Sequence, residues 1–237
     1  MMFGRYRGTF HRDDGDILVE AEQNGGLLTY RRRCEGQTFE RLLVSKTGEI
    51  VINPVEPVNL PRDITDFFQI EFSPMVIEPG VTQTVYLKFP VEIGVFLESA
   101  RDIEVLDVFG LGTQKYTLYG SPTSGIIARW YRSEVYAEIP PVGCFCEGVM
   151  ELSIHNASHE WVEISCAVFD STDMKIYYGD FVATAATMKI ISMTMAETNF
   201  VDAPLRPGMV KSVELYTARK IPVINRGYLM EWGLSCL

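Results

Sequence analysis

The sequence has little histidine, with only His11, His155 and His159 among 237 residues. This scarcity restricts hydrolytic centres in which histidine activates a serine or cysteine, and no Gly-x-Ser-x-Gly motif is present. A phosphate-binding loop is also missing, because the segment Gly110 to Lys115 supplies two glycines and a lysine but neither a third glycine nor the Lys-Ser/Thr pair. The sequence therefore nominates no catalytic residue and no cofactor.

Basic residues are few relative to acidic ones, 21 against 31, which gives a formal net charge of −10. Phosphate affinity in nucleic-acid binders comes mainly from accumulated lysine and arginine, so the composition argues against nucleic-acid binding. The single basic run is Arg31-Arg32-Arg33. Its position after Leu27-Leu28-Thr29-Tyr30 predicts the solvated end of a strand.

Long hydrophobic runs and paired cysteines are absent as well. The most apolar stretch, Phe181 to Ala196, contains Lys189 and is shorter than the roughly 20 residues needed to span a bilayer. The five cysteines are odd in number and widely spaced, which is typical of a reducing compartment. With no apolar segment after the charged N-terminus, the sequence predicts no secretory signal and a cytoplasmic protein.

Strand patterns fill the sequence instead. From Phe67 to Leu97 apolar and polar residues alternate on both sides of a Pro79-Gly80 turn, which predicts a hairpin with one buried face. Similar strand-sized runs recur between turns such as Asn24-Gly25-Gly26 and Lys46-Thr47-Gly48, whereas helical periodicity is rare. The pattern predicts an all-β fold of two tandem antiparallel β-sandwich domains, immunoglobulin-like in architecture.

The domain boundary is predicted in the Gly- and Pro-containing segment Gly120 to Gly125, which gives an N-terminal sandwich over 1–120 and a C-terminal sandwich over 121–237. A weak internal duplication supports this division. The order of extended segment, strand, turn and strand in Pro61 to Leu97 returns in Pro140 to Phe169.

Two local patterns could form a site. Cys144-x-Cys146 with His155 and His159 has the ligand types of a tetrahedral zinc site, but a Cys-x-Cys spacing on a strand is unlike the usual zinc knuckle, and surface histidines explain the pattern equally well. We therefore predict no metal.

The second pattern is Thr198 to Val210, where Asn199, Asp202 and Arg206 alternate with apolar residues and two prolines. It reads either as a crossover in which Asp202 and Arg206 pair with each other or with the backbone, or as a recognition loop on a rigid scaffold. These three residues are the candidate binding residues.

This segment, together with Lys115 to Pro122 and Gly227 to Gly233, resembles an uncharacterised archaeal family, domain of unknown function 432, which is common in methanogens. The resemblance covers essentially the full chain. It implies an archaeal cytoplasmic protein, and an association of the family with genes of small mechanosensitive channels implies a regulatory or accessory role. It carries no catalytic residue.

Two functions remain open from the sequence. The first is a non-catalytic protein-interaction or assembly module, and one version of it is accessory to a membrane channel. Its partner is another protein or a second copy of the chain. Edge strands such as Val81 to Phe89 or Met209 to Thr217 would add to a partner's sheet. The alternative is a carbohydrate- or metal-binding protein or a hydrolase on the same scaffold, with Trp130 and Trp161 beside the Asn199 to Arg206 loop.

Overall fold

The computed structural model describes residues 2–44, 49–62, 64–99, 102–143, 145–220 and 227–236. Most of these residues form strands, and the predicted all-β class is confirmed. The strands up to residue 119 are β1 Gly4–Arg7, β2 Phe10–Asp13, β3 Ile17–Asn24, β4 Leu27–Cys34, β5 Gln37–Val44, β6 Glu49–Val55, β7 Phe67–Ile77, β8 Thr82–Pro90, β9 Glu92–Glu98, β10 Ile103–Gly110 and β11 Lys115–Tyr119. The later elements are β12 Ile126–Arg132, β13 Glu147–Asn156, β14 Val162–Asp170, β15 Tyr177–Tyr178, β16 Val182–Ser192, β17 Met195–Val201, β18 Val210–Lys211, helix α1 Leu215–Ala218, β19 Tyr228–Met230 and β20 Leu234–Cys236.

Two four-stranded antiparallel sheets form the first sandwich, with strand orders β1-β6-β9-β10 and β2-β3-β4-β5. Alternate residues of each strand face inward, as Ile17 and Val19 of β3 and Ile50 and Ile52 of β6 show by their burial in one core. Helix α1 covers the opposite face of the β6–β9 sheet, where Leu215 joins a smaller apolar cluster. That sheet is therefore buried on both faces.

The second sandwich consists of a five-stranded sheet, β11-β12-β7-β14-β20, and a seven-stranded sheet in which β18-β15-β16-β13-β8 continues through β17 and β19 beside β16. Both sheets are mixed. The pairs β7–β12 and β13–β16 are parallel and the others antiparallel. The predicted purely antiparallel sheets are wrong at these two pairs, because period-two alternation is the same for both strand directions.

The predicted hairpin around Pro79-Gly80 is an arch. Strands β7 and β8 lie in different sheets, and β7 pairs with β14, with Phe68 opposite Phe169, while β8 pairs with β13, with Leu87 opposite Met150. The chain turns between β13 and β14 in the same way. The two segments predicted to be duplicates therefore bind each other strand by strand across both sheets.

Asn156 joins the two arches at their turns. Its backbone accepts a hydrogen bond from Gly80 (2.8 Å) and donates one to Val81 (3.0 Å). Its fully buried side-chain amide donates to the carbonyls of Ile77 (2.9 Å) and Glu160 (2.8 Å). This single buried side chain therefore links the two turns.

Strand pairing crosses the predicted boundary at residue 120. Strands β7 and β8 precede that position but pair only with the later strands β12, β13 and β14. The chain enters the first sandwich, leaves it after β6 for two strands, and returns with β9. One hydrophobic core extends through both sandwiches. Strands β2 to β5 of the first sandwich form a meander, and the immunoglobulin-like tandem arrangement stays a prediction.

Candidate binding cleft on the open side of the first sandwich

The first sandwich is closed along one side and open along the other. Strands β1 and β2 are edge strands of its two sheets, and the short connection Gly8-Thr9 joins them. The opposite edges, β5 and β10, have no strand between them in the described part of the chain. A cleft follows this open side, and residues of both edge strands form its walls.

Two adjoining compartments make up the cleft, and both touch Leu60 and Val108. The larger has a volume of about 420 Å³. Its lining comprises Phe39, Arg41, Asn59, Leu60, Arg62, Glu104, Val105, Leu106, Asp107, Val108, Ala218 and Arg219. The smaller, about 320 Å³, lies toward Gln37 and Gly110. Cavities of this size accommodate small organic molecules or side chains of a docked segment.

A buried ion pair closes the back of the cleft. Arg32 of β4 donates from Nε to the Asp107 carboxylate of β10 at 2.8 Å, and the Tyr30 hydroxyl donates to the same carboxylate oxygen at 3.1 Å. Burial, with Asp107 beside it, raises the pKa of Tyr30, so the hydroxyl keeps its proton. These contacts tie the two sheets together behind their open edges.

The prediction that Arg31, Arg32 and Arg33 all lie at a solvated strand end is wrong for the middle residue. Alternation along β4 turns Arg32 inward on the same face as Leu28 and Tyr30, while Arg31 and Arg33 face solvent. Arg31 joins an exposed ladder instead, bonded to Glu20 and Glu40 at 2.8 Å each. Of the three arginines, only Arg32 is buried, because it alternates in step with Leu28 and Tyr30.

Asn59 holds the segment that borders the cleft. Its backbone N–H donates to Glu92 Oε2 (3.0 Å), its side-chain amide donates to the Glu56 carbonyl, and its Oδ1 accepts from Arg219 Nη1 (3.2 Å). The Tyr116 hydroxyl donates to the next carbonyl, that of Leu60. Asn59 thus positions the Arg219 guanidinium against the cleft.

Two carboxyl groups are buried beneath this segment. Burial raises the pKa of Glu56 to about 8 and, against the opposing effect of the Asn59 N–H and Arg129, that of Glu92 to about 7. Arg129 is itself buried, with 5% of the residue exposed. Perturbed carboxyl groups beside a cleft are typical of functional sites.

Strand β5 presents an open edge, and its outer face carries exposed apolar side chains near the C-terminal end. It pairs only with β4, and no other described strand contacts it through a ladder. Leu42 and Val44 are 64% and 85% exposed, and Leu27, directly opposite Val44 on β4, is 45% exposed. A long edge strand with exposed apolar side chains is a site for strand addition.

Comparison with known proteins adds one finding to this geometry. Residues 2–231 match the model of a family described as a protein of unknown function, DUF432. The chain belongs to the DUF432 family. No curated protein and no solved structure is significantly similar to it. The predicted resemblance is confirmed, and the archaeal source that it implied stays a prediction.

The predicted binding residues of this DUF432 chain are distributed over separate contacts. Asn199 lies on β17 and donates to Glu197 (3.4 Å), and Asp202 accepts from the Tyr177 hydroxyl (2.6 Å) and pairs with Lys211 (2.7 Å). Asp202 therefore pairs with Lys211 instead of Arg206. The Arg206 guanidinium lies over the Phe181 ring, 5.1 Å from its centre. Their role in ligand binding stays a prediction.

The candidate metal ligands do not converge where they are described. Cys146 immediately precedes β13 and His155 lies near its far end, so about 30 Å of extended chain separates them at roughly 3.3 Å per residue. His155 Nδ1 lies 2.9 Å from Thr82 Oγ1, and His159 lies in the exposed turn after β13. Cys144 lies outside the described residues, as does the predicted turn Lys46-Thr47-Gly48, and no cluster of three potential ligands occurs among those described.

The two tryptophans named for the carbohydrate-binding alternative lie in different parts of the fold. Trp130 of β12 donates to Glu71 (3.0 Å) and packs against Lys115, whereas Trp161 lies exposed in the turn between β13 and β14. Among the described residues, no helix has the length and apolar character required to cross a membrane.

Proposed function

We propose that this DUF432 protein is a non-catalytic interaction module that binds an extended segment of a partner protein along β5. The open eight-residue edge of β5, with its exposed apolar side chains, carries this proposal. A strand added there would gain backbone hydrogen bonds and would cover the cleft between β5 and β10. The cysteine pattern supports a cytoplasmic location, where a cytoplasmic segment of a membrane channel would be one partner of this kind.

The two edges nominated from the sequence are less suitable. Strand β8 does lie at the end of its sheet, but Tyr86 exchanges two backbone hydrogen bonds with Tyr136 (2.9 and 3.0 Å), and the Lys88 N–H donates to Ser133 Oγ (2.8 Å). The predicted strand Met209 to Thr217 is wrong over most of its length, because only the two residues of β18 pair as a strand and α1 follows. Strand β5 is the better edge.

The side chains of β5 specify the partner's chemistry. Glu40, Leu42 and Val44 share the outer face, where the Glu40 carboxylate is already bonded to Arg31. Neighbouring side chains on an added strand lie about 5 Å away, so apolar or β-branched residues beside Leu42 and Val44 would extend the apolar surface. The expected partner segment is extended and carries alternating apolar residues.

The experiment compares three tagged proteins in native extract, the wild type, Leu42→Lys and Ile191→Lys. Ile191 is an exposed apolar residue of β16, 40% exposed and away from any open edge, so it serves as the matched control. We expect Leu42→Lys to lose the bound partner and Ile191→Lys to keep it. In the complex, amide hydrogen exchange should slow in residues 37–44.

Light scattering on the purified protein distinguishes a second copy of the chain from a different partner protein. A dimer with residues 37–44 protected would identify a second copy as the partner. A strict monomer that repeatedly returns no partner, or a partner that Leu42→Lys retains fully, would contradict the proposal.

A further inference from the structure

The larger compartment of the cleft collects positive charge in an acidic protein. Arg41, Arg62 and Arg219 reach it from three separate parts of the chain, namely β5, the segment before β7 and the end of α1. The chain as a whole carries a net charge of −10. A local concentration of guanidinium groups against that background attracts anions selectively to this position.

The acidic residues in the same lining do not pair with Arg41 or Arg219. The Asp107 carboxylate is already bonded to Arg32 and Tyr30, and Glu104 lies 3.6 Å from the Lys220 ammonium group. Within the described chain, neither Arg41 nor Arg219 has a carboxylate within 4.0 Å. Their charges are therefore available to a ligand.

Both arginines are held by neutral groups. Arg41 lies over the Phe39 ring, 5.2 Å from its centre, and Arg219 donates to the Asn59 side chain, which Glu92 and Glu56 fix in turn. Holding a guanidinium in place before binding reduces the entropy lost when a ligand binds. The planar donor fork of arginine matches the oxygens of a phosphate group.

We propose that this compartment binds a small organic phosphate. The phosphate group would lie between Arg41 and Arg219, with Arg62 contributing to the positive lining, and the organic part would lie against Phe39, Leu106 and Ala218. A volume of about 420 Å³ accommodates a molecule of that size. The inference is independent of the strand-addition proposal, since it depends on the arginines and not on the outer face of β5.

The test uses isothermal titration calorimetry of the full chain with adenosine monophosphate and with inorganic phosphate. Variants Arg41→Gln and Arg219→Gln remove one charge each, and Arg132→Gln, an exposed arginine of β12 with a 67% exposed side chain, is the matched control. We expect saturable binding by the wild type that weakens about 10-fold or more in each cleft variant and is unchanged in the control. Higher ionic strength should weaken it further.

Three outcomes would overturn the proposal. One is the absence of saturable binding of either probe to the folded wild type. Another is equal weakening in Arg132→Gln, which would indicate non-specific attraction. The third is arginine-dependent binding of an alternating valine–glutamate peptide without binding of either phosphate probe, which would assign the arginines to a protein partner. Because Arg41 is exposed, its variant should retain the wild-type melting temperature and keep the comparison interpretable.

Discussion

Glu56 and Glu92 make the stability of this fold depend on pH. Both carboxyl groups are buried under the segment that holds Asn59, and burial raises their pKa values from 4.5 to about 8 and about 7. The folded chain therefore retains protons that the unfolded chain releases above pH 4.5. The contribution of these two groups to the free energy of unfolding is complete below that pH. It is lost as the pH rises from there through about 7 and 8.

We expect the Glu56→Gln variant to show a flatter pH profile than the wild type, because glutamine stays neutral at every pH. Each titrating carboxyl contributes at most about 1.4 kcal/mol per pH unit to the slope. Urea unfolding at pH 5, 6, 7 and 8 should show the wild type losing stability with rising pH and the variant losing less. Glu22→Gln, at an exposed position of β3, is the control and should keep the wild-type slope.

An unfolding free energy that increases from pH 5 to pH 8, or an identical slope in wild type and Glu56→Gln, would contradict this assignment.

At the scale of elements, the arch between β7 and β8 places these two strands in different sheets, where each pairs with a later strand. Thr84 of β8 lies directly opposite Ser153 of β13, and opposite residues of antiparallel strands have Cα atoms about 4.5–5.5 Å apart, within disulfide range. We expect Thr84→Cys/Ser153→Cys to form a disulfide on mild oxidation. A hairpin centred on Pro79-Gly80 would instead place Val76 opposite Gln83, so Val76→Cys/Gln83→Cys tests that alternative.

Mass spectrometry of peptides digested without reduction identifies which engineered pair has joined and separates it from the native cysteines. Efficient cross-linking of the Val76/Gln83 pair, with none between positions 84 and 153, would show that β7 and β8 form a hairpin after all.

The sequence predicts the strands well but not their partners. Alternation in β7 correctly turns Phe68, Ile70 and Phe72 inward, since burial acts on each side chain by its position along the strand. The same alternation arises whether the next strand lies in the same sheet or the opposite one. It therefore could not distinguish an arch from a hairpin, nor a parallel from an antiparallel neighbour.

The cleft was even less accessible to sequence reasoning. Arg219 and Asn59, which bond to each other, are 160 positions apart, and no local pattern marks either residue. Arg32 did carry a signal, because it is in phase with the inward-facing Leu28 and Tyr30 of the same strand. The segment containing Asn199, Asp202 and Arg206 has an unusual composition, but these side chains contact nearby residues of their own sandwich.

For the whole molecule, the shared sheets predict that neither half folds alone. A fragment of residues 1–120 contains β7 and β8 without β12, β13 or β14, and a fragment of 121–237 lacks the central strand β7 of its five-stranded sheet. Buried side chains such as Phe68 and Leu87 would each lose about 1.5–3 kcal/mol of burial. We expect both fragments to give poorly dispersed NMR spectra and no cooperative unfolding.

Co-expression of the two fragments is the control, because it supplies every strand with a cut only between residues 120 and 121. We expect this pair to recover a dispersed spectrum. A single fragment that unfolds cooperatively at a temperature close to that of the full chain would support two independent domains divided at that position.

Because β7 and β8 pair with later strands, their pairing is delayed during synthesis. Both strands leave the ribosome before β13 and β14 are complete at Asp170. The apolar faces of β7 and β8 therefore remain uncovered until these partners are synthesised. At about 5–20 residues per second this delay lasts roughly 5–20 s. During that interval β7 and β8 remain exposed to chaperones and to misassembly with a neighbouring chain.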